Sequence, residues 1–180
     1  FKTTADELKK IGNKLINLKK KSKVAILYSH DSYHALNFMP YTYKENYPID
    51  RVYKALYMQN IETDIVPCDK WIDFSQYTML VIPPLYVATD ELLSGIDKFV
   101  KEGGHVVMLH KSGYCNEHSA VRATLAPGLL RKACGFYYQE YSTIDAMPLR
   151  DNPYNIEDSN QISDWYEFLQ LETAKPLAYA

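Results

Sequence analysis

The chain is short of several things that would have narrowed its function quickly. Glycine is scarce, 7 of 180 residues, and none stands in the segment Ser29-His30-Asp31-Ser32-Tyr33 that follows the first apolar run. Without a glycine there the backbone cannot close on a phosphate, which excludes a dinucleotide fingerprint and argues against a flavodoxin-type cofactor. No cofactor is expected. Lysine and arginine number 20 against 22 acidic residues, a net charge of −2, so no basic excess points to nucleic acid. The one dense basic run, Lys19-Lys20-Lys21-Ser22-Lys23, reads as a solvated helix end. No apolar run approaches membrane length, and the start matches neither a signal nor a transit peptide. Cys68, Cys115 and Cys134 fit neither a metal spacing nor an even disulfide framework, which points to a reducing, cytoplasmic setting. The chain opens on Phe1 and stops within a strand-like segment, Lys175 to Ala180, so both ends read as cut from a larger protein.

What is abundant is tyrosine, 16 residues, several of them in stretches that read as loops: Tyr33, Tyr41, Tyr43, Tyr47 and Tyr114. A tyrosine carries a large apolar body and a polar tip, the combination favoured at contact surfaces. The apolar pattern organises the rest. Leu8, Ile11, Leu15 and Leu18 predict a helix over Thr4–Lys20, with Thr4 and Glu7 as a capping box. Val24–Tyr28, Glu62–Pro67, Met79–Pro83 and His105–His110 predict four buried strands. Helices are predicted over Ile49–Gln59 and, capped by Thr89 and stopped by Gly103-Gly104, over Asp90–Lys101. His30–Pro48 reads as an aromatic loop or broken helix, Pro127–Cys134 as a short helix and Phe136–Tyr141 as a fifth strand. From Ser142 onward the pattern is turn-rich, becoming extended again at Trp165–Leu169 and Pro176–Ala180. Strands alternating with helices predict an α/β fold with a mostly parallel sheet and helices on both faces.

The loop after the fourth strand gathers Lys111, Cys115, Glu117 and His118, where ligands collect in open α/β sheets. A cysteine nucleophile would need a strained elbow flanked by small residues, and here Tyr114 and Asn116 flank Cys115. Cys115 with His118 as a cysteine hydrolase is therefore the second reading. The five histidines match no zinc pattern, and His105 reads as a packing residue, so no metal is expected. A glycosidase pair needs two carboxylates, and only Glu117 stands suitably after a strand; it reads as a loop organiser beside Lys111.

Val24-Ala25-Ile26-Leu27-Tyr28-Ser29-His30-Asp31-Ser32, Leu80-Val81-Ile82-Pro83-Pro84-Leu85-Tyr86, Glu102-Gly103-Gly104, Lys111-Ser112-Gly113, Asn116-Glu117-His118 and Pro127-Gly128-Leu129-Leu130 occur in this order. Together they resemble the middle, trimerisation domain of glycoside hydrolase family 42 β-galactosidases. The resemblance implies a flavodoxin-like, class I glutamine amidotransferase-like three-layer sandwich, residues 1–22 being a linker helix from a catalytic barrel and 23–180 the trimerisation domain, truncated at its C-terminal end. It implies a retaining enzyme acting on terminal non-reducing β-D-galactose, a homotrimer, and two catalytic glutamates on a barrel outside this chain. No catalytic residue is then expected here, and the galactoside would be bound by that barrel. Lys111 stands where arginine is expected, and Cys115 where no cysteine is typical. The aromatic loop, Tyr33, His34, Phe38, Tyr41 and Tyr43, would pack at the subunit interface, rim a neighbour's cleft, or fold over its own core.

Overall fold

A computed structural model describes residues 1–19, 21–38, 48–68, 72–157 and 160–180. The elements are α1 (Lys2–Leu15), β1 (Val24–Tyr28), α2 (His30–Phe38), α3 (Ile49–Met58), β2 (Thr63–Pro67), β3 (Met79–Ile82) and α4 (Asp90–Lys101). They continue with β4 (His105–Met108), a 3₁₀ turn (Gly128–Leu130), α5 (Arg131–Cys134), β5 (Phe136–Tyr137), β6 (Tyr141–Pro148), β7 (Gln161–Glu167) and β8 (Gln170–Leu171).

Four strands form a parallel sheet in the order β2-β1-β3-β4. Helices flank it, giving the three-layer α/β sandwich that the strand–helix alternation predicts. The inner strands β1 and β3 are continuous apolar runs because both their faces are covered: Ala25, Ile26, Leu27, Leu80, Val81 and Ile82 are all buried. The outer strand β4 behaves differently from the buried strand expected. His105 and Val107 face solvent while Val106 and Met108 point inward, the alternation of a strand with one covered face. His105 is thus an exposed residue rather than a packing one.

Leu27, Leu80, Ile82, Leu85, Leu93, Ile96, Phe99 and Leu130 form the main core on one side of the sheet. Each such side chain, fully buried, contributes about 1.5–3 kcal/mol. The helix that supplies three of them is set by its ends. Thr89 Oγ1 accepts the Leu92 backbone N–H at 3.1 Å, and Asp90 and Glu91 face the positive end of the dipole. At the far end the chain must turn beneath Phe99, and a Cβ at Gly104 would fall inside that ring.

One segment settles an open reading and another departs from expectation. Of the two readings of His30–Pro48, loop or broken helix, the described part His30–Phe38 is helical: Ser29 Oγ accepts the Ser32 N–H at 3.1 Å and starts it. The buried Ser32 Oγ then donates to the Val87 carbonyl and accepts the Val87 N–H, both at 3.0 Å, tying the helix to the segment after β3. The stretch Ser142–Pro148, expected to be turn-rich, lies in the strand β6, while the extended stretch expected at Trp165–Leu169 overlaps β7. β6 and β7 form an antiparallel hairpin from Tyr141↔Glu167 to Pro148↔Gln161, with an irregularity between Ile144 and Met147. The expected fifth strand, Phe136–Tyr141, divides into β5, which pairs with β8, and the start of β6. Pro176–Ala180 lies outside any strand, with Leu177 and Tyr179 exposed.

Candidate functional site

The loops at the carboxyl ends of β3 and β4 run side by side and are sewn together by the backbone. Gly113 donates to the Leu85 carbonyl at 2.8 Å, Cys115 to Tyr86 at 2.8 Å, and Ala88 to Cys115 at 3.2 Å. Ser112 is wholly buried; its hydroxyl donates to the Leu109 carbonyl at 2.9 Å and accepts the Leu85 N–H at 3.1 Å. Arg122 closes the loop from beneath, with Nη2 on the Ala88 carbonyl at 2.6 Å and Nη1 on the Asp90 carboxylate. Gly113 is required where it stands: φ is +72°, and a Cβ would lie 2.6 Å from the Pro127 carbonyl oxygen.

Against this platform leans the β6–β7 hairpin, held at its root by Glu167. Its Oε1 accepts the Lys111 N–H at 2.7 Å and the Trp165 indole N–H at 3.1 Å. Lys111 is buried, with positive φ, and its ammonium sits 3.9 Å from the centre of the Trp165 ring. Tyr138, also buried, donates its hydroxyl to the Ser112 carbonyl at 3.3 Å. Aromatic rings complete the seam: Trp165 stacks on Tyr141 at 4.4 Å, Tyr141 meets Tyr114 edge-on at 6.2 Å, and Tyr114 stacks on Tyr86 at 5.7 Å. Burial dominates the electrostatics. It pushes the Glu167 carboxyl up against the pull of its hydrogen bonds, and holds the Lys111 ammonium below the usual lysine range. His110, half-buried and so partly desolvated, and next to the Lys111 charge, drops to about 4 and is neutral at physiological pH.

The candidate residues are distributed over two places. Lys111 lies within this seam. Glu117 is exposed, and its carboxylate is 3.8 Å from His118 Nε2, itself exposed. The acid that anchors Lys111 is Glu167, and the loop's own turn is held by Asn116, whose Oδ1 accepts the His118 and Ala120 N–H groups, both at 3.0 Å. Tyr33, His34 and Phe38 lie on α2, with Tyr33 and His34 rings in edge contact at 5.3 Å and Phe38 89% exposed. Tyr41 and Tyr43 lie outside the described residues. Sequence reasoning passed over Glu167 and Tyr138. The two-residue spacing of Trp165 and Glu167, which places both on one face of a strand, is the signal that could have paired them.

Cys115 and His118 do not make a nucleophile and base. Cys115 is 1% exposed and burial pushes its thiol up, whereas a reactive cysteine needs a depressed value and access. His118 faces solvent, with 81% of its side chain accessible. Alkylation with iodoacetamide near neutral pH is expected to modify Cys115 at least about 100-fold more slowly than a free thiol. Modification at or above the free-thiol rate would restore the hydrolase reading.

Comparison with known proteins agrees with a built-up scaffold. A family model described as the β-galactosidase trimerisation domain matches residues 22–180. Beta-galactosidase LacZ of Lactobacillus acidophilus is 30% identical over 150 residues, covering 80% of this chain and 22% of its own length. Beta-galactosidase BgaB of a Geobacillus strain is 28% identical over 176 residues, covering 96% of this chain and 25% of its own length. The crystal structure of a β-galactosidase from Bacillus circulans sp. alkalophilus superposes with a TM-score of 0.84 at 27% identity, over 96% of this chain and 26% of that one. The chain spans about a quarter of the length of the relatives it matches. With the family model matched over residues 22–180, the chain belongs to the β-galactosidase trimerisation domain family.

Proposed function

We propose that this domain assembles a retaining β-galactosidase into a homotrimer, and that the two catalytic glutamates acting on terminal β-D-galactose stand on a barrel elsewhere in that protein. The observation that carries this reading is the match of residues 22–180 to the trimerisation domain, within relatives that are β-galactosidases about four times as long. On this reading residues 1–22 leave the barrel and 23–180 make the assembly domain. That the three cysteines form no disulfide with one another supports a cytoplasmic setting.

Within the trimer, the aromatic side of α2 is the surface that meets a neighbour or rims its cleft. Phe38 stands 89% and Tyr33 39% exposed, more apolar surface than an isolated domain gains by leaving in water. Lys111 and Glu117 shape the loop beside it, Lys111 from within and Glu117 from the surface. Native mass and hydrolysis of a nitrophenyl galactoside test this on the complete protein carrying Tyr33→Ala and Phe38→Ala together. Aromatic anchors contribute about 1–3 kcal/mol each, so the trimer is expected to weaken by at least about 10-fold in its dissociation constant. An unchanged trimer of unchanged activity would remove α2 from the interface. A wild-type protein that is monomeric, or inactive on galactosides, would overturn the reading as a whole.

A further inference from the structure

Two of the five histidines become neighbours only once α2 has formed. In sequence they complete no zinc pattern, and a spacing of four has no geometric meaning in a loop. In the helix His30–Phe38 the same spacing sets His30 and His34 one above the other on one face. Their rings lie nearly parallel, 16° apart, with centres 6.2 Å from one another. The face they share is the outer one. Ser32 and Leu36, the buried residues of α2, stand two positions further along, about 200° around the axis. Both histidines are exposed. Among the described residues, no third His, Cys, Asp or Glu joins the pair.

The geometry is that of a two-histidine clip. Imidazole nitrogens bind zinc at about 2.0–2.1 Å, so one ion held by both rings keeps their centres about 5–6 Å apart, a small side-chain rotation from what is seen. The same i, i+4 pair on one helix face supplies two of the zinc ligands in metalloproteases. The clip stands on a fixed support. Ser29 Oγ accepts the Ser32 N–H at 3.1 Å, and the Ser32 hydroxyl holds the Val87 backbone by two bonds of 3.0 Å. His30 is oriented as well: its Nδ1 lies 3.4 Å from the Tyr28 hydroxyl, and the Tyr28 ring meets it edge-on at 4.7 Å. A partner on Nδ1 sets Nε2 as the ligating nitrogen, the arrangement that orients most metal-bound histidines. The Tyr33 ring steadies His34 edge-on at 5.3 Å. We infer that His30 and His34 bind one divalent transition-metal ion that favours imidazole, Cu(II), Ni(II) or Zn(II), through a nitrogen of each ring, water holding its other positions. Two protein ligands make an exchangeable site, filled according to metal supply, in contrast to a closed structural one. Calcium and magnesium, which prefer oxygen, do not suit the ligand set. The ion ties two successive turns of the helix that carries Tyr33 and Phe38, and so stabilises that helix. The inference stands on α2 alone and needs neither the trimer nor the parent enzyme.

Calorimetric titration of the complete protein with copper, nickel and zinc chlorides tests it, each variant being read against the wild type so that metal sites elsewhere cancel. Both side chains are exposed, so His30→Ala and His34→Ala keep the fold. Each is expected to lose one binding event per chain, or to weaken it at least about 10-fold, with Cu(II) the tightest of the three in the wild type. Asp31→Asn, one position along the same helix, is the control and is expected to leave binding unchanged. With Cu(II) bound, the electron paramagnetic resonance difference between wild type and His34→Ala is expected to show coupling to ring nitrogen. Titrations that are the same in wild type and both histidine variants would overturn the inference. A loss in Asp31→Asn equal to that in the histidine variants would overturn it too, by marking a general effect of charge. So would a Cu(II) dissociation constant above about 1 mM, an affinity that needs no built site.

Discussion

Replacing Glu167 with alanine is expected to lower the unfolding free energy by about 3 kcal/mol, while Glu167→Gln stays within about 1 kcal/mol of the wild type. Alanine leaves the Lys111 N–H and the Trp165 indole N–H without their acceptor, and removes the charge nearest a buried ammonium. Glutamine keeps an acceptor oxygen in place and carries no charge. Burial holds the folded-state pKa of Glu167 above the ordinary carboxyl value, so the folded protein takes up this proton more readily than the unfolded chain. The group's contribution is therefore fully present below the unfolded carboxyl pKa and is lost as pH rises through the folded value. Urea unfolding between pH 4 and 8 measures this directly: the difference between wild type and Glu167→Gln isolates one group from the other acids. The expected result is a wild type that loses ground to the glutamine variant as pH rises. A difference that runs the other way would mean that the carboxylate is stabilised in place, and that its hydrogen bonds outweigh its desolvation.

The second large effect is Gly113→Val, expected to cost about 3 kcal/mol or more. A β-branched residue at φ of +72° is strained in itself, and the new Cβ would meet the Pro127 carbonyl at 2.6 Å. The strain falls on the loop that Leu85 and Tyr86 hold in register, so the Lys111–Glu167 contact should loosen with it. Thermal unfolding gives the magnitude. Gly113→Ala separates the two causes, since it keeps the carbonyl contact but relieves the branching. A valine variant as stable as the wild type would mean that the two loops can move apart at little cost.

The fold was largely legible because its inner strands are apolar on both faces. Val24–Tyr28 and Met79–Ile82 are runs that only a covered parallel sheet accommodates, and Thr89 with Gly103-Gly104 bracket α4 in the usual chemistry of helix ends. The first strand of the hairpin was illegible for the complementary reason. In β6 only Ile144 and Met147 are partly buried, so the eight residues show neither alternation nor an apolar run. Its stability comes instead from the partner strand and from the Tyr141–Trp165 stack. The helix α2 was left between loop and broken helix by its aromatic content, since its cap is the unremarkable Ser29. Glu167 could not be joined to Lys111 from sequence, because 56 residues separate them and only the folded seam brings them together.

The order of the sheet also dictates when this domain can form during its own synthesis. The central strand β1 takes its first partner at Thr63 and its second at Met79, 55 residues after Val24. At about 5–20 residues per second, the ribosome delivers that second partner on the order of 3–10 seconds after β1 has been made. For that interval Ala25, Ile26 and Leu27, wholly interior in the finished domain, are among the most apolar surface on the nascent chain. A strand that will sit at the centre of a parallel sheet thus waits unpaired on one edge until its second partner is made.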